Sequence, residues 1–318
     1  MIAVPDEREL TKAAVLYYQH DMTHAEVGRA LGWSRIKVTR NLQRARALGL
    51  VEFVIHDPVA PFEHLEQSLI ERYQLDACRV APTLDDQDRT LAAVGRAGAE
   101  LMEDFLPYHG VVAVGMSRAV SAMVARLDQI SRPELIISAA SGSVARTNSY
   151  TASALAIDLS RRLGATAHNI PAPLHSDPAN VAALRREPAI ASALGIAASA
   201  GHLVVGVGSM HPGGGTALDG MPTRIREQLI AGGAVGDLVS RYYDEDATAV
   251  ASDLDTQLLV LEHDEVSAIP KKFVVVAGRG KARAVFALLR AGQITTLALD
   301  ADLARSLLSL SPKVRNPE

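Results

Sequence analysis

The sequence predicts an α/β protein, with an N-terminal all-α winged helix-turn-helix domain followed by a doubly wound, mostly parallel, Rossmann-like sheet domain. Three observations carry this. Residues 23–50 hold two capped amphipathic helical segments separated by a glycine turn. From Ala77 onward, short apolar runs alternate with alanine-rich helical stretches, the pattern of strands buried on both faces of a parallel sheet. Between the two regimes lies His56-Asp-Pro-Val-Ala-Pro61, whose two prolines mark a linker. The expected domains are therefore residues 1–57 and residues 58–318, the second beginning with a linker helix.

A chain of 318 residues is long enough for two cores, and 48% hydrophobic with 21% charged residues is an ordinary globular balance. The net charge of −4 excludes a surface coated in basic charge, so any nucleic-acid contact has to be local. The single Cys78 rules out an internal disulfide and a cysteine-rich zinc site, and it fits a reducing cytoplasm. The start, Met1-Ile-Ala-Val-Pro-Asp-Glu-Arg8, lacks the basic and apolar regions of a secretion signal. No stretch approaches the ~20 apolar residues of a membrane helix. These features predict a cytoplasmic protein without membrane contact.

In the head, residues 6–20 read as a first helix with Leu10, Ala13, Ala14, Leu16 and Tyr17 inward. Thr23 caps a second helix, with Ala25, Val27, Ala30 and Leu31 at helical spacing, and Gly32 suits a left-handed turn. Ser34 caps a third, carrying Ile36, Val38, Leu42, Ala45 and Leu48, and Gly49 stops it. Between Trp33 and Leu48 stand Arg35, Lys37, Arg40, Arg44 and Arg46 against no acid. A basic helix after a glycine turn fits insertion into a major groove of double-stranded DNA. Ser34, Arg35, Lys37, Thr39 and Arg40 fall in its first turns, where bases are reached, and Arg44 is placed for phosphate. Trp33 is expected to pack at the turn. Val51–Ile55 reads as a short strand or wing.

Phe62–Tyr73 then forms a short amphipathic helix that joins domains or pairs subunits. Strands are expected at 77–81, 111–114, 134–138, 166–170, 202–207, 257–262, 273–277 and 296–299. Helices are expected between them at 86–105, 119–129, 151–163, 181–195, 222–231, 281–290 and 300–308. Ligands of such sheets bind beyond the C-terminal strand ends. Four loops there are rich in glycine, serine and basic residues. They hold Gly115, Ser117 and Arg118; Gly142 and Arg146; Gly206 and Gly208; and Gly278, Gly280 and Lys281. Glycines admit backbone N–H groups close to an anion, and Lys281 adds full charge at a helix start. None is a Walker motif or a clean Gly-x-Gly-x-x-Gly. Four in one sheet favour a small anionic ligand such as a sugar phosphate.

Asp237 is a carboxylate able to accept hydroxyl hydrogen bonds from a polyol, with Arg241 and Asp244 expected to form a structural ion pair beside it. His168, His175 and Asp177 lack metal-ligand spacing, so neither metal nor cofactor is expected.

The head together with this α/β domain resembles the SorC family of bacterial transcriptional regulators over about residues 8–310. The resemblance is carried by Ser34-Arg-Ile-Lys-Val-Thr-Arg-Asn-Leu42, by Gly233-Ala-Val-Gly-Asp-Leu-Val-Ser-Arg-Tyr-Tyr-Asp244 and by Val274-Val-Val-Ala-Gly-Arg-Gly-Lys-Ala-Arg-Ala-Val285. It implies an effector-responsive repressor or activator of a sugar or polyol operon, no enzyme, and an assembly of identical subunits, a tetramer or dimer. It also implies a C-terminal domain related to sugar-phosphate isomerases, with Gly278, Gly280 and Lys281 on the effector phosphate and Asp237 on a hydroxyl. Two departures stand out. The family's first loop usually reads Gly-Trp-Gly-x-Thr, where this chain has Gly115-Met-Ser-Arg-Ala119. Some relatives form a Schiff base through a second-loop lysine, and Ala140–Asn148 holds none. A reversibly held polyol or its phosphate is the expectation. The alternatives are a sugar-phosphate isomerase or deaminase, for which Asp237, His175 and His211 are the acid/base candidates, and a helix-turn-helix module that binds a protein partner and no small molecule.

Overall fold

Two side-chain caps set the geometry of the head. In the computed structural model, which describes residues 7–51, 61–144, 150–211 and 222–311, Thr23 and Glu26 form a reciprocal capping box at the start of α2 (His24–Leu31). Gly32 ends that helix with φ +67°, a conformation a side chain disfavours. Ser34 accepts the Lys37 N–H at 3.3 Å and opens α3 (Arg35–Ala47). With α1 (Glu7–Ala14) these helices bury Leu10, Ala13, Ala14, Val27, Val38, Leu42 and Ala45 in a small core. The chain divides into two compact units, Met1–Ala60 and Pro61–Glu318.

The second unit begins with α4 (Glu63–Tyr73) and then alternates strand and helix. Its strands are β1 (Ala77–Ala81), β2 (Gly110–Val114), β3 (Leu135–Ala139), β4 (Thr166–His168), β5 (His202–Val205), β6 (Gly208–Ser209), β7 (Gly236–Leu238), β8 (Arg241–Tyr243), β9 (Lys271–Val276) and β10 (Thr296–Asp300). Its further helices are α5 (Gln87–Phe105), α6 (Arg118–Val124), α7 (Ala152–Leu163), α8 (Pro178–Leu184), α9 (Pro188–Ala198), α10 (Thr223–Ala231), α11 (His263–Ala268), α12 (Ala282–Arg290) and α13 (Ala301–Ser309). Seven strands form one parallel sheet in the order β1-β10-β9-β5-β2-β3-β4. Successive strand residues feed opposite cores, as the two-residue period of a strand requires. Phe273 and Val275 pack on the side of α5, α6 and α7, while Val274 and Val276 pack with α4, α12 and α13. The winding reverses between β2, which leads outward to β3, and β5, which leads the other way to β9. A crevice at the C-terminal strand ends is expected at that reversal.

Several boundaries differ from the sequence expectation. Beyond Ala14 the first helix loosens into a π-helical turn, Val15–Gln19. The expected strand 257–262 is irregular: a 3-10 turn covers Asp255–Gln257, and Leu258 and Val260 make only isolated bridges to His175 and Ser141. Burial of Leu258, Leu259, Val260 and Leu261 explains why it mimics a strand. The helix expected over 181–195 is two, because Pro188 starts α9 after Glu187 caps it in an extended conformation. α6 stops at Val124, short of residue 129, and the strand expected to reach Val207 ends at Val205. Past it, β6, β7 and β8 build a small antiparallel sheet that sequence reading missed. Its strands are two and three residues long, too short for a period to show. The wing at 51–55 and the linker at 56–61 lie almost entirely outside the described residues.

Candidate functional site

Two places carry the sequence-predicted residues. On the head, Ser34, Arg35, Thr39, Arg40 and Arg44 are exposed, and Lys37 is partly covered. The Lys37 ammonium stands 4.7 Å from the Trp33 ring centroid, so Trp33 packs at the turn and steers a cation. The Thr39 hydroxyl donates to the Arg35 carbonyl at 3.1 Å. Ile36, one of the apolar residues this helix carries, is 81% exposed. Leu48, at its C-terminal end, is also exposed.

The second site lies where the sheet reverses. Gly206 follows β5 and Ser117 follows β2, and the two loops touch: a Cβ on Gly206 would collide with the Ser117 hydroxyl oxygen. That oxygen caps α6, accepting from the N–H groups of Ala119 and Val120 at 3.2 Å each. Gly115 packs flat on Val205, and Gly208 pairs with Asp237 across β6 and β7. Lys281 comes from the end of β9 and donates to the Val207 carbonyl at 2.7 Å. The strand-end loops of β2, β5 and β9 and the β7–β8 hairpin thus bring Gly115, Ser117, Gly206, Gly208, Asp237 and Lys281 together.

Asp237 is the chemical centre of this group. It is buried, and Oδ2 accepts the Ser240 N–H at 3.2 Å across a turn in which Val239 and Ser240 both have positive φ. Oδ1 is buried with no hydrogen-bond partner among the described residues. Burial pushes the carboxyl up to about 6, against the opposing pull of the Lys281 charge and the Ser240 N–H. Burial pulls the Lys281 ammonium down, the Asp237 carboxylate opposes this, and the Arg118 charge adds to the fall. A buried acceptor beside a half-buried cation suits a ligand carrying both a hydroxyl donor and an anionic group.

The remaining predicted residues divide. Arg118 is exposed and pairs with Asp88 at 2.8 Å. Gly142 lies against the backbone of Ala172 and Pro173, and its N–H donates to Leu259 O at 2.8 Å, so its glycine character has a packing reason. Arg146 and the glycine run 213–215 lie outside the described residues. Gly278 has φ +104°, and its N–H donates to Asp300 Oδ2 at 2.6 Å. Gly280 is exposed, its open side facing the His211 ring. His175 contacts Gln257 at 3.0 Å. The Arg241–Asp244 pair is corrected: buried Arg241 pairs with Asp255 at 3.0 Å and Glu262 at 2.6 Å, because β8 carries it away from the turn at Asp244. Among the described residues, no group of three or more His, Cys, Asp or Glu is placed to hold a metal ion, and no helix is long and apolar enough to cross a membrane.

Sequence reading missed three participants. Asp300 is fully buried and holds Gly278, the Thr83 hydroxyl at 2.9 Å and the Leu303 N–H at 3.2 Å. Ser209 donates to Gly280 O at 3.0 Å, tying the β5 and β9 loops. Tyr242 stands opposite Asp237 in the hairpin, and its buried hydroxyl has no partner among the described residues. An aspartate closing a strand just before a helix was the one signal available for Asp300.

A crevice at the reversal of a doubly wound sheet, in a chain that also carries a three-helix N-terminal unit with a basic third helix, is the make-up of an effector-responsive transcriptional regulator. Residues 57–309 match the sugar-binding domain family. The chain is 28% identical over 317 residues to the transcriptional regulator LsrR of Enterobacter sp. (strain 638), covering 98% of this chain and 95% of that protein. It is 24% identical over 313 residues to the erythritol catabolism regulatory protein EryD of Brucella abortus (strain 2308), covering 96% and 98%. The full-length sorbitol operon regulator SorC of Klebsiella pneumoniae superposes with a TM-score of 0.76 at 26% identity, over 96% of this chain and 100% of that one. The chain belongs to the SorC family of sugar-responsive transcriptional regulators, whose sugar-binding domain it carries.

Proposed function

We propose that this regulator binds double-stranded operator DNA through α3 and releases or tightens it when a polyol phosphate or sugar phosphate enters the β2–β5–β9 site. Ser34, Arg35, Lys37, Thr39, Arg40 and Arg44 make the DNA contacts. Lys281 takes the phosphate in the loop that Gly278 and Gly280 keep open, Ser117 and Arg118 close over it, and Asp237 accepts a hydroxyl. The protein acts in the cytoplasm as a tetramer or dimer, with effector and operator coupled by about 1–3 kcal/mol.

The observation that carries this reading is the buried, unpartnered Asp237 Oδ1 beside the Lys281 cation. A polyol supplies the hydroxyl donor, and two of the similar proteins are named for erythritol catabolism and a sorbitol operon. The test is calorimetric titration of the full-length protein with erythritol, sorbitol and aldose phosphates and with the same polyols unphosphorylated. Each compound is then added to a complex with labelled DNA from upstream of its own gene. A phosphorylated polyol that binds and shifts the DNA affinity supports the proposal. Binding by none of the panel overturns it.

A further inference from the structure

The exposed side of α3 is basic except at its centre. Val38, Asn41, Leu42 and Ala45 are its buried residues. At about 100° per residue, Ile36 lies within about 20° of the direction opposite them, flanked by Thr39, Arg40 and Gln43. Its exposure of 81% exceeds that of Tyr108, Ile230 and Leu48, the other exposed large apolar side chains among the described residues. Its neighbours are occupied or charged. The Lys37 ammonium is over Trp33, the Thr39 hydroxyl is turned back to the Arg35 carbonyl, and Arg35, Arg40 and Arg44 form a cationic surround with no acid on the helix. That charge points to a polyanion as the occupant of this face.

We propose that Ile36 is a specificity-determining residue, reading the C5-methyl of a thymine in the major groove while the arginines around it hold the phosphates. The inference rests on the reading of α3 as the DNA-contacting helix. In the major groove only thymine presents a methyl group, and an aliphatic side chain in the first turn of an inserted helix recognises it by excluding water from both. Ile36 therefore sets a base preference, whereas Arg44 adds affinity to any sequence.

The test uses the full-length protein. A random duplex pool is selected to obtain the preferred site, and each thymine of that site is then replaced, one at a time, by uracil, which removes only the methyl. Anisotropy titrations at fixed salt compare the wild type with Ile36→Ala and Ile36→Val, whose folding is checked by thermal melts. The expected result is a loss of about 3- to 10-fold for the wild type at one thymine per half-site. Ile36→Ala should bind the thymine and uracil forms alike there, and Ile36→Val should keep part of the discrimination. The same uracil penalty in Ile36→Ala, or no penalty in the wild type, overturns the inference and leaves α3 as the DNA helix. Failure of the wild type to enrich any sequence removes the DNA reading of the head, and this inference with it.

Discussion

Lys281 reaches across from the end of β9 to the Val207 carbonyl beyond β5, one residue before the Gly208 that pairs with Asp237. A cation and a carboxylate from distant parts of the chain are thereby locked around one crevice. Replacing Lys281 with Ala should weaken a phosphorylated effector by about tenfold or more, since a charge-assisted contact is lost. Calorimetry of the variant, with operator affinity measured alongside, checks this. Operator binding without effector should stay within about twofold of wild type; an unchanged effector affinity would remove Lys281 from the site.

Asp237 gives the domain a pH signature. Its carboxyl is raised from 3.8 to about 6, so the folded protein binds this proton more tightly than the unfolded chain. Stability therefore falls as pH rises between those values, by up to about 3 kcal/mol at ~1.4 kcal/mol per unit. Asp237→Asn should flatten that slope in urea melts between pH 4.5 and 7. Affinity for the phosphorylated effector should fall more steeply below pH 6 in the wild type than in Asp237→Asn, because the protonated carboxyl is a poorer acceptor. The phosphate itself, with a second pKa of ~6, titrates in both.

Asp300 is fully buried and organises the β9 loop from below. Asp300→Ala would leave the Gly278 N–H and the Leu303 N–H without their acceptor. A loss of about 3 kcal/mol is expected, combining a missing helix cap with a buried unsatisfied donor. Urea denaturation measures it. Asp300→Asn, which keeps one acceptor oxygen, should lose less.

Arg40 stands exposed on the face of α3 that carries Ile36. Arg40→Ala should weaken operator binding and leave effector affinity unchanged. If it contacts a phosphate, the slope of log affinity against log salt should fall by about 1 while base preference is kept. If it reads a guanine, preference at one position should relax instead. Anisotropy across salt concentrations separates the two outcomes.

The head was legible almost to the residue because its signals are local. Thr23, Gly32 and Ser34 act on backbone groups one to four residues away. Ile36 is apolar and yet exposed, and its spacing from Val38 and Leu42 puts it on the other side of the helix from them. In the sheet, unbroken runs such as Phe273–Val276 announced buried strands, and the loops after β2, β5 and β9 followed from them. The β7–β8 hairpin was hidden for a different reason. Val239 and Ser240 adopt positive φ without a glycine, a conformation imposed by tertiary packing and by the Asp237 carboxylate. The partners of Arg241 were equally out of reach, since Asp255 and Glu262 meet it only after the chain has folded back.

The pairing of β1 with β10 bears on how the protein is made. Ala77–Ala81 emerges early from the ribosome, yet its sheet neighbour is Thr296–Asp300, and the Thr83 hydroxyl waits for a carboxylate 217 residues later. Until then β1 has no strand beside it and α4 no complete floor. The head, whose three helices fall within Glu7–Ala47, can fold early in synthesis, while the sheet of the second unit is complete only when β10 is released. A nascent chain would thus carry a folded head without a complete sugar-binding domain. Completion of the parallel sheet therefore depends on Thr296–Asp300, the strand farthest along the chain from β1.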